Sequence, residues 1–257
     1  MYVISTSPSN PLGHVLPHLN TASTILVYLD RYHLGDPLFL RSFARDVATH
    51  VGPLVLVHES GEETERTLEA RGLLTEDERN GPAARQLVER AIRDVNRRIV
   101  HELNDAGVSA VGVLGVDRGL LRKSDLGDIE ADKVDWLIRL AKQGGVPVIG
   151  CLVSTQVNEF MEGDIAKILI ALAQAIETTG VTEVVVVAFT TNRKAGLFDG
   201  GVHIPSLSVN ALSSFPSVVG VSVLREVSSS VRVRVTTPGA LREEGLPNGT
   251  DLEVDRG

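Results

Sequence analysis

The stretch that most constrains the fold runs from residue 53 to residue 65. An apolar run from Leu54 to Val57 has the length of one β-strand, a short loop follows it, and a charged segment begins at Glu62. Strand, loop and helix in this order are typical of open parallel sheets, which bind ligands where strand carboxyl ends meet helix amino ends. The loop from His58 to Gly61 is therefore predicted to lie at a functional edge.

The same strand-loop-helix pattern recurs along the chain. Apolar runs predict strands at residues 24–29, 54–57, 108–114, 146–153 and 183–189, with further strands at 218–224 and 231–235. Apolar residues at helical spacing predict helices at 38–50, 62–71, 83–106, 134–143 and 164–178, with a short helix at 207–214. Residues 121–132 are predicted to form a hairpin or a loop. This alternation predicts an α/β fold with a mainly parallel sheet.

Parallel strands share one carboxyl edge, so four loops are expected to meet there. The first five predicted strands are expected to lie in one sheet. The loops expected at its carboxyl edge are 30–35, 58–61, 115–119 and 190–201.

Composition limits the partners and the compartment. The formal net charge of −8, with no basic block, argues against nucleic acid. No apolar run approaches the roughly 20 residues of a membrane span, and the amino terminus lacks the form of a signal peptide. Cys151 is the single cysteine, which excludes an intrachain disulfide and a multi-cysteine metal site. We expect a cytoplasmic protein without a metal centre, whose proline-rich residues 1–22 form a flexible, extended arm or a disordered terminus.

Several segments match one known family in a single register over about residues 24–224. They are Thr24-Ile25-Leu26-Val27, Gly35-Asp36-Pro37, Ser42-Phe43-Ala44-Arg45-Asp46-Val47, Val55-Leu56-Val57-His58, Gly61, Val95-Asn96, Ala110-Val111-Gly112-Val113, Gly115-Val116-Asp117-Arg118-Gly119-Leu120, Gly145-Val146-Pro147-Val148-Ile149, Gly163-Asp164 and Gly200-Gly201-Val202-His203-Ile204-Pro205. This pattern resembles the acetylglutamate kinases of the amino-acid-kinase family.

The resemblance implies a three-layer α/β/α sandwich formed by one domain, residues 23–257. Within it, about residues 23–155 would bind the acyl amino acid and about 156–257 the nucleotide. The implied reaction transfers phosphate from ATP, with Mg, to a side-chain carboxylate, as in arginine-type amino-acid biosynthesis. The resemblance also implies a homodimer or higher homo-oligomer, with the long helix at 83–106 across the interface.

Phosphoryl transfer to a carboxylate brings like charges together, so it needs lysines and free backbone N–H groups near the phosphate. The family has a lysine at the end of its first strand followed by two glycines, where this chain has Tyr28, Asp30 and Arg31. Its His-Gly-Gly-Gly loop is replaced by residues 58–61, which include Glu59. Its later lysine falls at Ser206, and an asparagine falls at Phe160. These departures predict weak or lost phosphotransfer.

The resemblance nevertheless gives a set of candidate site residues. Asp164 and Arg31 are the catalytic candidates. The substrate-binding candidates are His58, Ser60, Gly61, Arg79 and Asp117, and the nucleotide-binding candidates are Thr191, Asn192, Lys194, Gly196, Gly201 and Ser206.

Each of several candidates has a structural alternative. Asp164 is also placed to cap a helix, and Asp117 to cap a loop. For Arg79 and Lys194 the alternative is a solvent-exposed side chain with no role in binding. His58 and His203 also suit hydrogen-bonded structural roles, and Cys151 suits an inert core.

Three functions compete. The first is an acetylglutamate-kinase-like protein that binds an acylated amino acid, a nucleotide, or both, with weak or lost phosphotransfer. The second is an active ATP-dependent kinase acting on an N-acylated glutamate, in which Arg31, Lys194 or Lys123 replaces the missing charges. The third is a structural partner of a true kinase. Ligand binding without turnover separates the first from the second, and absence of binding favours the third.

Overall fold

The computed structural model describes residues 23–73, 81–155, 159–181 and 183–254. The predicted arm at residues 1–22 lies outside the described residues. The strands are β1 Thr24–Leu29, β2 Leu54–His58, β3 Ser109–Leu114, β4 Leu121–Lys123, β5 Ile129–Ala131, β6 Gly145–Gly150, β7 Leu152–Ser154, β8 Phe160–Glu162, β9 Val184–Phe189, β10 Leu197–Asp199, β11 Val202–Ile204, β12 Ser206–Ser208, β13 Arg232–Thr236 and β14 Thr250–Glu253.

Helices follow most of the long strands. The α-helices are α1 Arg31–Leu34, α2 Pro37–Val47, α3 Glu62–Ala70, α4 Pro82–Asp105, α5 Asp135–Lys142, α6 Ile165–Glu177 and α7 Val221–Ser228. Short 3₁₀ helices cover Asp117–Gly119, Val209–Ser214 and Pro238–Arg242. Within the described residues, no helix has the length and apolar character needed to cross a membrane.

Eight strands form the central sheet in the order β12-β14-β13-β9-β1-β2-β6-β3. The pairs from β13 through β3 are all parallel, and β14 runs antiparallel to β13. Val27 of β1 lies between Leu56 and Val187, and all three side chains are fully buried. The prediction that the first five apolar runs share one sheet is confirmed, except that the run at 146–153 belongs to it only up to Gly150.

Alternate residues of each central strand pack into two separate apolar cores. Ile25, Val27 and Leu29 face a core that contains Phe43 of α2 and Ile99 of α4. The other face of the sheet packs on α5 and α6 through a second core. A helix layer on each face of one sheet is the predicted α/β/α sandwich.

Two strand predictions need correction. The predicted strand at 218–224 is wrong, because most of it belongs to α7. Leu224 and Val227, three residues apart, are both buried, so the apolar run is one face of a helix. The predicted strand at 146–153 is interrupted at Cys151: β6 stays in the central sheet, whereas β7 pairs with β4 and β8 in a separate four-stranded sheet.

For two shorter segments, the structure selects one of the predicted alternatives in the first and changes the type of helix in the second. Residues 121–132 contain the hairpin β4–β5, with Leu121 opposite Ala131. The helix predicted at 207–214 is a 3₁₀ helix that begins after β12.

Candidate functional site

The carboxyl ends of β1 and β2 bring two of the predicted loops side by side. Leu29 pairs with His58, so Asp30 and Glu59 begin the loops that follow the two strands. β9 runs parallel to β1, and β3 runs parallel to β6, which is parallel to β2, so loops 190–201 and 115–119 begin at this edge as well. The predicted common edge of the four loops is therefore confirmed by the strand directions.

Glu59 is the centre of a compact polar cluster at this edge. Its Oε1 accepts hydrogen bonds from the Tyr28 hydroxyl at 2.8 Å and from the Arg31 backbone N–H at 3.2 Å. Its Oε2 accepts from Arg31 Nε at 2.8 Å, which makes an ion pair. The Glu59 side chain is 11% exposed and that of Arg31 42%. One carboxylate thus holds the two side chains that stand near the family's lysine position.

The cluster fixes the protonation states of Tyr28 and Arg31. Burial, together with the Glu59 charge, raises the pKa of Tyr28 far above its ordinary value, so the phenol stays neutral. Burial alone would lower the pKa of Arg31, but the Glu59 carboxylate, with Glu162 and Glu65 further away, raises it. The guanidinium is therefore a permanent cation committed to Glu59.

A second carboxylate occupies the loop after β2. Glu162, at the end of β8, accepts the backbone N–H of Ser60 at 3.0 Å. The thiol of Cys151 lies 3.5 Å from the same oxygen. Burial, and then the charges of Glu162 and Glu59, raise the pKa of the Cys151 thiol well above its ordinary value. Ser60 is 2% exposed, so its N–H points to a side chain of the protein and not to solvent.

Asp30 does not add free charge to this cluster. Its Oδ1 caps α1 by accepting the His33 N–H at 3.0 Å, and its Oδ2 lies 2.6 Å from His33 Nδ1. Both residues are almost completely buried. The expected carboxylate beside the phosphate position is instead paired with a histidine.

His58 is fully buried on the other side of β2. Its Nδ1 donates to the Glu59 carbonyl at 3.0 Å, and its Nε2 lies 3.0 Å from Asn96 Nδ2, which also donates to the Val148 carbonyl at 2.8 Å. Burial lowers the pKa of His58 to about 4. The imidazole is thus neutral near pH 7, and its two nitrogens are both occupied within the protein.

The other substrate-side candidates have mainly structural contacts. Gly61 precedes α3 as its N-cap residue. Asp117 Oδ2 accepts the Leu114 N–H at 2.8 Å and so closes the turn after β3. Arg79 lies outside the described residues. Near the same loops, Arg85 of α4 forms an ion pair with Glu159.

Asp164 is the N-cap of α6. Its Oδ1 accepts the N–H groups of Ala166 at 2.9 Å and Lys167 at 3.3 Å, as expected for a capping carboxylate. The helix cap is therefore a sufficient reason for this residue, and no hydrogen bond or ion pair joins it to Arg31 in the part of the chain that the structure describes.

The nucleotide-side candidates are spread along a loop and a hairpin. Thr191, Asn192 and Lys194 are exposed after β9. Lys194 Nζ lies 5.1 Å from the centre of the Phe198 ring. Gly201 turns the β10–β11 hairpin, and a Cβ on Gly196 would lie 2.7 Å from His203. Ser206 begins β12 and is half-buried. Among the described residues, no hydrogen bond or ion pair joins them to the Glu59 cluster.

Lys123 does not supply a free cation near Glu59 either. Its Nζ lies 3.8 Å from the sulfur of Met161 in the small sheet. Among the described residues, no group of three or more His, Cys, Asp or Glu side chains is arranged to hold a metal ion.

Sequence reasoning missed three of the residues that shape this edge. Glu162 lies far from the loop in sequence, and the only feature that could have pointed to it is its position directly before Gly163-Asp164. The pairing of His33 with Asp30 could have been found from the i, i+3 spacing in a short helix. Asn96 belonged to the family pattern, but its role as the partner of His58 requires the fold.

An open, mostly parallel α/β/α sheet with polar loops at its carboxyl edge defines a class of doubly wound α/β proteins, in which ligands bind at that edge. Comparison with known sequences makes this specific. A sequence profile of the amino acid kinase family matches residues 23–188. The chain belongs to that family.

Individual relatives agree with this assignment. Acetylglutamate kinase of Chloroflexus aurantiacus is 30% identical over 242 residues, covering 84% of this chain and 92% of that protein. Acetylglutamate kinase of Chloroflexus aggregans is 28% identical over 253 residues, covering 88% and 96%. Among solved structures, E. coli aspartokinase III with lysine and aspartate superposes with a TM-score of 0.61 at 14% identity, covering 90% of this chain and 64% of that one. The structural likeness supports the fold alone.

Proposed function

We propose that this chain is an acetylglutamate-kinase-like protein that binds an acylated amino acid, a nucleotide, or both, with weak or lost phosphotransfer. The single observation that supports it is the Glu59 cluster. A kinase of this class needs cations and free N–H groups where the phosphoryl group moves. Here Glu59 holds Arg31, and Glu162 holds the Ser60 N–H.

The energetic consequence is large. Removing one group that stabilises transition-state charge typically costs about 3 kcal/mol. The absence of two lysines therefore corresponds to a loss on the order of 10⁴-fold in rate, if the two effects add. Glu59 neutralises the nearby Arg31 cation, and Glu162 adds a further carboxylate to the same edge, which opposes a triphosphate further. The two carboxylates act in the direction opposite to catalysis.

Magnesium ATP, which the family resemblance implies, does not fit the edge between β1 and β2 with its present contacts. The Ser60 N–H already has an anionic partner, and the nearby guanidinium is paired. The proposed function therefore includes no phosphotransfer at this edge. Nucleotide binding at the loop after β9, through Thr191, Asn192 and Lys194, stays part of the proposal, as do the two lobes at about 23–155 and 156–257.

The alternative is an active kinase that phosphorylates the side-chain carboxylate of an N-acylated glutamate. The homology to acetylglutamate kinases over most of the chain favours this second function. It requires Arg31 to leave Glu59 and to contact the phosphoryl group, since Lys194 and Lys123 have other neighbours.

Two assays on the same protein separate these functions. Thermal unfolding is measured with acetylglutamate, with magnesium ATP and with both; a ligand at 100 times its dissociation constant adds about 2.7 kcal/mol to stability. Turnover is measured by ADP release and by trapping the acyl phosphate with hydroxylamine. We expect stabilisation by at least one ligand and no hydroxamate from the wild type. The Tyr28→Lys, Ser206→Lys double variant tests whether the two lysines alone restore product.

Wild-type hydroxamate formation that disappears in Arg31→Ala would establish the active kinase instead. Absence of stabilisation by every ligand would favour the structural-partner role. The predicted homodimer, with α4 at its interface, also stays a proposal. Sedimentation at micromolar concentration tests it, and a monomer would contradict it.

A further inference from the structure

A recess lies at the amino edge of the central sheet, opposite the edge that carries the Glu59 cluster. Three parallel strands, β2, β6 and β3, begin beside one another there. This amino-edge recess has a volume of about 320 Å³, which is within the range of small-molecule sites. Its lining, as far as the described residues go, includes neither a member of the Glu59 cluster nor any residue of loop 190–201.

The recess is open because the chain turns there through glycines. Gly107 follows α4 and Gly144 follows α5, both with positive φ, as is common directly after a helix. A Cβ added to either glycine would meet nothing within 4 Å. The turns that end these helices therefore leave space beside the first residues of β3 and β6.

Apolar side chains form most of the remaining lining. Val47, Leu54, Val108 and Val146 are almost completely buried, whereas Val51 is 66% exposed. No Asp, Glu, Lys or Arg is present among the described residues that line the recess. The recess therefore suits a small ligand with an apolar body.

His50 provides one polar atom without a partner in this lining. Its Nδ1 lies 2.9 Å from the Leu241 carbonyl, so Nδ1 carries the hydrogen and donates it. Burial lowers the pKa of His50 below its ordinary value, although the bond to Leu241 opposes this, so the imidazole is neutral near pH 7. In this tautomer, Nε2 can only accept a hydrogen bond.

The position of Nε2 makes its lack of a partner informative. The atom is excluded from solvent and has no hydrogen-bond partner within the described part of the chain. A Cβ on Gly52, another lining residue, would lie 3.4 Å from Nε2, so the atom faces the lining of the recess. Buried acceptors without partners are rare because each costs free energy. This acceptor therefore calls for a donor from outside the protein.

The ends of three helices favour the same polarity. α2, α4 and α5 all end at the recess, where Ala48, Gly107 and Gly144 belong to its lining. The carboxyl end of a helix carries partial negative charge from its last carbonyl groups. The field of these ends attracts a hydrogen-bond donor and repels an anion.

We propose that the amino-edge recess binds a small apolar molecule whose polar end donates a hydrogen bond to His50 Nε2. Its apolar body packs against Val47, Val108 and Val146, and a hydroxyl or an ammonium group supplies the donor. The recess and the positions assigned to substrate and nucleotide lie at opposite edges of the sheet. The proposal therefore stands or fails separately from the proposed function.

Isothermal titration calorimetry on the full chain at pH 7.5 tests the proposal with phenol and benzylamine as probes. Anisole is the matched control for phenol, because it keeps the ring and the oxygen but has no donor. We expect saturable binding of at least one donor probe, and anisole should bind about tenfold more weakly than phenol. The comparison of phenol with benzylamine identifies whether the hydroxyl or the ammonium group is preferred.

Nitrogen NMR of the wild type labelled in its seven histidines gives a second test that needs no stable variant. A donor probe should move the Nε2 resonance of His50 upfield, the direction expected when a bare imidazole nitrogen accepts a hydrogen bond. The resonances of His101, which is exposed on α4, should stay in place. The His50→Phe spectrum assigns the His50 signals.

Two variants complete the titrations. His50→Phe keeps a ring but removes the acceptor, and should weaken the donor probe by about tenfold. Thr24→Val removes a buried hydroxyl without a partner at the start of β1, outside the lining, and should leave binding unchanged. Thermal unfolding confirms that each variant is folded. Absence of saturable binding by both donor probes, equal binding of anisole and phenol, or an unmoved Nε2 resonance would overturn the site.

Discussion

Replacing Glu59 by alanine tests whether its carboxylate is the structural centre of the edge. The change removes the acceptor for the Tyr28 hydroxyl and for two Arg31 donors. The buried Tyr28 hydroxyl then lacks a partner, which costs about 1–3 kcal/mol. Arg31 is partly exposed and can be rehydrated, so its share is about 1 kcal/mol or less. We expect the free energy of unfolding to fall by about 1–4 kcal/mol.

A double-mutant cycle separates this account from a general packing effect. Tyr28→Phe removes the hydroxyl itself and should cost only about 1 kcal/mol in the wild-type background. In the Glu59→Ala background the same change removes an orphaned donor, so it should be neutral or stabilising. The coupling energy between the two sites should be about 1–2 kcal/mol.

Urea denaturation measures all four proteins, and an unchanged dependence on urea concentration shows that only stability has changed. Strictly additive effects of the two substitutions would refute the reasoning, because they would mean that Tyr28 and Glu59 do not interact in the folded state.

Three other measurements test separate parts of the structure. Burial lowers the pKa of His58 from 6.5 to about 4, so on acidification the unfolded chain is protonated at this residue before the folded protein is. The free energy of unfolding should therefore fall by about 3 kcal/mol between pH 6.5 and pH 4. The fall should be smaller in His58→Gln and unchanged in His101→Gln, the control at an exposed histidine. Gly112→Ala should cost about 1–3 kcal/mol, because the new Cβ would lie 2.4 Å from Asn96 Oδ1, whereas Gly239→Ala meets nothing within 4 Å and should change little; equal effects would be contrary to the packing described. Cys151 is buried and its thiol pKa is raised, so the native protein should resist a thiol reagent that reacts at once in urea; fast native labelling would contradict that burial.

The sheet was accessible from sequence because its strands carry a local signal. Val184 to Val187 and Leu54 to Val57 are β-branched or aliphatic runs of strand length, and the structure buries every one of them. The run at 218–224 misled because a short apolar segment fits a strand and a helix face equally well. Only the packing of Leu224 and Val227 decides between the two.

The site was less accessible because its chemistry depends on residues distant in sequence. The family comparison identified the positions where lysines and glycines are absent, but could not say which groups replace them. Glu162 reaches Ser60 across 102 residues, and Asn96 reaches His58 across 38. Such contacts leave no periodic pattern, so the sequence predicts the loops but not their partners.

The replacements at the edge between β1 and β2 depend on one another. This mutual dependence favours a stable set of hydrogen bonds and ion pairs over the accumulation of unrelated substitutions in a former kinase site. Glu59 alone would be a buried charge, which is costly without a partner. Arg31 and Tyr28 supply the donors that satisfy it. Glu162 likewise satisfies the Ser60 N–H. Restoring a single lysine at Tyr28 would therefore place a second cation beside a carboxylate that is already paired, and would not by itself recreate a site for a triphosphate.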